Sequence, residues 1–133
     1  MNPVAGESIL LVDDNADVSF AFATCLELAG YRVHAASSGE QALEIATANR
    51  DEIALVLTDL GMPGMAGREL IRRLRSAGLE MPVIVMSGLA RDEGMVDPLD
   101  DEVAVWLQKP FTVEDLVDAV GRTLARQSPG QTG

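Results

Sequence analysis

Ile53-Ala54-Leu55-Val56-Leu57-Thr58-Asp59-Leu60-Gly61-Met62-Pro63-Gly64-Met65-Ala66-Gly67 divides into two halves of opposite character. The first half is a continuous apolar run of strand length, as expected of a strand covered on both faces. The second cannot extend it, because Gly61, Pro63, Gly64 and Gly67 all favour turns. Asp59 therefore falls at the carboxyl end of a buried parallel strand. Open α/β sheets bind their ligands at that edge.

The same pattern recurs on either side. Ser8-Ile-Leu-Leu-Val12 is a short apolar strand that ends on Asp13, Asp14 and Asn15. Val18, Phe22, Cys25, Leu26 and Ala29 then recur at helical spacing, with Gly30 as the stop. Tyr31–Ala35 alternates like an edge strand, which places His34 against a helix or solvent. Ser38 is placed to cap a helix over about 39–48 that carries Ala42, Leu43, Ile45 and Ala46. Beyond the central strand, a helix near 66–76 turns Leu70, Ile71 and Leu74 inward and leaves Arg68, Arg72, Arg73 and Arg75 mostly outward, as a solvated face. Pro82–Met86 is a fourth apolar strand, ending on Ser87-Gly88. Val103–Leu107 is a fifth, ending on Gln108, Lys109 and Pro110. Thr112 caps a last helix with the stripe Val113, Leu116, Val117, Val120 and Leu124. Five strands alternating with helices predict an α/β fold, a five-stranded parallel sheet doubly wound by helices on both faces.

Composition narrows the partners. A chain of 133 residues fits one domain with a real core, and with 47% hydrophobic but 4% aromatic residues that core must be aliphatic. The organisation expected is a disordered lead over 1–7, a folded unit over 8–126 and a flexible tail over 127–133. A formal net charge of -11 argues against nucleic acid and anionic membrane, and is compatible with a cation site. Cys25 is the single cysteine, so no intrachain disulfide forms and a reducing compartment is expected. With neither a signal-peptide pattern at the start nor an apolar run of membrane-spanning length, the expected location is cytoplasmic.

The inner strands end on Asp13 and Asp14, on Asp59, on Ser87 and on Lys109. In a parallel sheet these ends share one edge, so the groups converge although they are distant along the chain. Two carboxylates about 5 Å apart repel by roughly 3 kcal/mol at an effective dielectric near 20. Three of them call for a hard cation, and all-oxygen donors suit Mg²⁺, which keeps waters and prefers a phosphate as a further ligand. Lys109 would neutralise one phosphoryl oxygen and the Ser87 hydroxyl would bond another, leaving Asp59 as the acceptor nucleophile.

With these motifs in place, the sequence resembles the receiver domain of two-component response regulators. Leu-Val-Asp13-Asp14, the run from Asp59 to Gly67, Met86-Ser87-Gly88 and Lys109-Pro110-Phe111 stand in that family's order and spacing. The resemblance covers about residues 8–126 and implies a flavodoxin-like strand order of 2-1-3-4-5. It implies that Asp59 takes a phosphoryl group from a phosphohistidine on a histidine kinase or histidine phosphotransferase. It further implies that Asp14, Asp59 and the backbone carbonyl of Gly61 bind Mg²⁺, with Asp13 reaching through water. Lys109 would pair with the phosphoryl group, Ser87 would move onto it, and the aromatic at 106 would turn inward, switching a face toward a downstream protein.

Two stretches depart from the family. Position 106 is Trp106 where Tyr or Phe is usual, and its indole N–H needs a partner that the inward pocket has to supply. The other reading of Trp106 is a ring packed at the end of a strand. Residues 89–102 fall where the family has its fourth helix, yet they contain Gly94, Pro98 and six acids against Arg91, which predicts a short, mobile helix of about two turns. Gly61 presents no side chain beside Asp59, which predicts a short-lived aspartyl phosphate that Gly61→Arg would prolong.

Other functions fit less well. A degenerate receiver acting as a constitutive protein-binding module is the main alternative. An aspartyl phosphohydrolase usually has a second acid two residues past its nucleophile, where this chain has Gly61. A flavin site would need a phosphate-cradling loop after the first strand, where Asp13 and Asp14 repel phosphate. The reading is therefore a signalling domain rather than an enzyme, either standing alone or belonging to a larger regulator. Met86-Ser87-Gly88 and the short tail resemble receivers fused to hybrid histidine kinases.

Overall fold

The computed structural model describes residues 7–60, 67–88 and 103–127. The elements run β1 (Ser8–Val12), α1 (Ala16–Leu28), β2 (Arg32–Ala36), α2 (Gly39–Ala48), β3 (Ile53–Asp59), α3 (Gly67–Ser76), β4 (Val83–Ser87), β5 (Val105–Gln108) and α4 (Val113–Gln127). The five strands form one sheet in the order β2-β1-β3-β4-β5, and every pairing is parallel. The doubly wound, flavodoxin-like order expected of the chain is the one found. Of the expected lead over 1–7 and tail over 127–133, residues 1–6 and 128–133 lie outside the described residues, as does the short helix expected over 89–102. Glu7 O accepts from the Arg32 N–H at 2.9 Å, and Gln127 is the last residue of α4.

Both faces of the sheet are covered, which is why its strands read as unbroken apolar runs. Successive residues of one strand enter opposite cores. Leu10 and Val12 join Ala42 and Ala46 of α2 and Leu70, Ile71 and Leu74 of α3. Ile9 and Leu11 join Leu26 of α1 and Leu116, Val120 and Leu124 of α4. Each fully buried aliphatic side chain contributes roughly 1.5–3 kcal/mol. The core is aliphatic, as the composition requires. Phe22, Phe111 and Trp106 pack at its margins.

Helix ends follow local chemistry. Asn15 caps α1 by accepting from the Val18 N–H at 3.0 Å, and Ser38 caps α2 by accepting from the Gln41 N–H at 3.1 Å. Thr112 Oγ1 accepts from the Asp115 N–H while the Asp115 carboxylate accepts from the Thr112 N–H, both at 3.0 Å, a reciprocal cap on α4. Gly30 after α1 and Gly78 after α3 adopt φ of 105° and 81°, where other residues are strained.

Several expectations shift in detail. β5 begins at Val105 rather than Val103. Val103 is buried, but its neighbour Ala104 already bonds Val83 O at 2.8 Å as the chain approaches the ladder. β2 runs one residue later than expected, to Ala36. Val113 is 45% exposed because it is the first residue of α4, beside the cap and turned from the sheet. Ala29 is exposed because it is the C-cap of α1.

Candidate functional site

The inner strands end side by side, and backbone hydrogen bonds carry their pairing just past the strand ends. Asp13 N–H donates to Ala36 O at 3.1 Å, Leu60 N–H to Met86 O at 2.9 Å and Lys109 N–H to Ser87 O at 2.7 Å. The residues that carry charge are thus fixed through the main chain to the neighbouring strand. This places Asp13, Asp14, Asp59, Ser87 and Lys109 along one edge, the carboxyl edge of the sheet.

One ligand atom from each of Asp13, Asp14 and Asp59 lies within 4.8 Å of the others. The ammonium of Lys109 stands 3.4 Å from Asp59 Oδ2. Burial differs across the group. Asp13 is 2% exposed, Ser87 is buried, Asp59 is half-buried and Asp14 faces solvent. Asp13 Oδ1 accepts from the Asn15 N–H at 2.9 Å. Its other oxygen, Oδ2, is buried and has no hydrogen-bond partner among the described residues.

That orphaned oxygen has electrostatic consequences. Burial pushes the Asp13 carboxyl above its ordinary range; the Asn15 N–H opposes this, Asp59 adds to it, Lys109 opposes it and Asp14 adds to it. A buried anionic oxygen with an unused lone pair, next to two further carboxylates, is a site short of positive charge. The donors are all hard oxygens, so a divalent cation such as Mg²⁺ fits them.

A family model described as the response regulator receiver domain matches residues 9–121. The chain belongs to the response regulator receiver domain family. The phosphate regulon transcriptional regulatory protein PhoB of Pseudomonas aeruginosa is 30% identical over 131 residues, which is 97% of this chain and 56% of that protein. The sensor kinase CckA of Brucella abortus is 35% identical over 120 residues, 90% of this chain and 13% of that kinase. Across PhoB and response regulators such as MprA of Mycobacterium leprae, the chain spans about half of the relative's length, 56% and 52%. Among solved structures, a receiver domain protein from Clostridium thermocellum superposes with a TM-score of 0.82 at 29% identity, covering 90% of this chain and 95% of that one. The receiver domain of the hybrid histidine kinase CckA gives 0.74 at 32% identity, covering 88% and 98%. Receiver domains are signalling modules of two-component systems and bind Mg²⁺ at an acidic pocket.

Gly61, whose carbonyl the resemblance assigned to the cation, lies outside the described residues. Trp106 is half-buried and packs on the core between the sheet and the α2–α3 layer. His34 sits in the middle of β2 beside Leu10, 3.2 Å from Glu52 Oε2, which also accepts from Ser8 Oγ at 3.3 Å. Cys25 is half-buried on α1. Among the described residues no helix is long and apolar enough to cross a membrane. Two supporting features escaped the sequence reading. The Asn15 cap left a signal that could have found it, since Asn stands directly before the α1 stripe. The stack of Phe22 on Phe111, with ring centroids 5.7 Å apart, left none, because no spacing rule links the two positions.

Proposed function

We propose that this receiver domain accepts a phosphoryl group on Asp59 from a phosphohistidine of a histidine kinase or histidine phosphotransferase. Asp14, Asp59 and the Gly61 carbonyl would hold Mg²⁺, with Asp13 reaching it through water. The observation that supports this most directly is the Asp59 carboxylate standing between two other acids and the Lys109 ammonium.

An Asp59 oxygen attacks phosphorus in line with the leaving imidazole. The new O–P bond forms as the P–N bond breaks, and the imidazole departs with that bond's electron pair. Charge gathers on the three equatorial phosphoryl oxygens, so catalysis consists of positioning and charge stabilisation. Lys109 pairs with one of those oxygens and the Ser87 hydroxyl donates to another. A bound Mg²⁺ supplies neutralising charge for the carboxylates and the transferred group. Asp13 and Asp14 make the pocket acidic enough to retain the cation and repel free anions.

The loaded aspartate gains negative charge beside the strand that ends at Ser87 and two strands away from Trp106. Movement of Ser87 toward it, with Trp106 following, would alter the face presented to a downstream protein. The test is intact mass after incubation with acetyl phosphate and Mg²⁺. The chain should gain about 80 Da, and Asp59→Asn should gain nothing. An unmodified wild type, or an Asp59→Asn chain that still gains mass, would refute the assignment.

A further inference from the structure

The two rings of the Phe22–Phe111 stack, 28° apart in plane, belong to the two segments that bring opposite charges to the site. Phe22 is on α1, whose cap Asn15 directly follows Asp13 and Asp14 and is bonded to Asp13 Oδ1. Phe111 follows Lys109 by two residues, in the short link Lys109–Thr112 between β5 and α4. That link is tied at both ends. Lys109 N–H donates to Ser87 O, and Thr112 is held by Asp115. Pro110 has no N–H to donate, so the centre of the link is held by the Phe111 ring, half-buried in the α1–α4 core.

We propose that Phe22 is a positioning residue for Lys109: by stacking on Phe111 it sets where the ammonium stands relative to Asp59. The proposal rests on the phosphoacceptor reading. It gives α1 two tasks, since the helix that starts at the acidic pair also steadies the cation opposite them. Phe22 packs in the α1–α4 core and stacks on Phe111, so its effect passes through the Lys109 segment. A displacement of about 1 Å in a charge-stabilising group is enough to slow such a step by one to two orders of magnitude.

Loading of Asp59 by acetyl phosphate with Mg²⁺, followed by intact mass, reads the effect. Phe22→Leu should load about tenfold more slowly, and Phe22→Tyr, which keeps the ring, should stay within about twofold of wild type. In a Lys109→Met background, where the positioned group is gone, Phe22→Leu should change the residual rate by less than about twofold. A metal-free readout accompanies this. The melting midpoint of the Phe22→Leu, Phe111→Leu double variant should fall by clearly less than the sum of the single variants. Equal slowing by Phe22→Leu with and without Lys109 would mean general loosening and overturn the proposal, as would unslowed loading or additive melting shifts. A wild type that gains no mass would instead overturn the function, and the positioning role with it.

Discussion

Nζ of Lys109 stands 3.4 Å from Oδ2 of Asp59, with the lysine side chain 36% exposed and the aspartate side chain 14% exposed. A pair this open to solvent adds little to folding stability. Its value lies in placing a positive charge where phosphoryl oxygens would gather. Lys109→Met should therefore lower the melting midpoint by less than about 4 °C while slowing the loading of Asp59 about a hundredfold. Calorimetry and timed mass spectra check the two halves separately. Undiminished loading would remove Lys109 from the mechanism.

The acidic cluster should couple folding to the cation. At a Mg²⁺ concentration tenfold above its dissociation constant, the native state gains about 1.4 kcal/mol. A thermal melt with and without Mg²⁺ measures this as a rise in midpoint. Asp59→Asn should abolish most of the rise, because it removes one of three clustered carboxylates. A rise of equal size in that variant would place the cation elsewhere.

Asp13 predicts an unusual pH trend in the metal-free chain. Its carboxyl is raised in the folded state, mainly by burial, so between its unfolded and folded values the native chain holds a proton that the unfolded chain has released. Stability from this group is therefore lost as pH rises through that window. Glu69 has the opposite sign, because its hydrogen bond with Arg73 lowers its carboxyl, and that contribution is lost as pH falls. Subtracting the Asp13→Asn stability curve from wild type isolates the Asp13 contribution. Near neutral pH without Mg²⁺, Asp13→Asn should be more stable than wild type. A less stable variant under those conditions would contradict the electrostatic account.

Thr112 and Asp115 exchange hydrogen bonds across the first turn of α4. Thr112→Ala leaves the Asp115 N–H without its side-chain acceptor and should cost about 1 kcal/mol. Thr112→Ser, which retains the oxygen, should cost less than half of that. Urea denaturation resolves the two. Equal losses would show that the methyl group, and not the cap, matters.

The fold was legible because a sheet covered on both faces demands unbroken apolar strands, and Ser8–Val12, Ile53–Asp59 and Val83–Ser87 meet that demand. The site was legible for the same reason. Polar residues that interrupt such strands at their ends stand out, and parallel pairing gathers them. What escaped was of another kind. Val103 looks like strand because it is apolar, yet it only approaches the ladder, and hydropathy does not distinguish burial from pairing. Val113 fits the helical stripe, but the first residue of a helix turns with its cap. The meeting of Phe22 with Phe111 depends on how α1 packs beside α4 and the link before it, which no local pattern records.

Trp106 is the chain's one indole, and it lies in β5 beside the strand that ends at Ser87. Indole emission from this molecule, excited on the red edge where tyrosine does not absorb, therefore comes from a single known place, with no dye or engineered reporter. Its colour and intensity give a continuous optical record of the strand next to Ser87 while a donor is mixed in, on timescales that mass spectra do not reach.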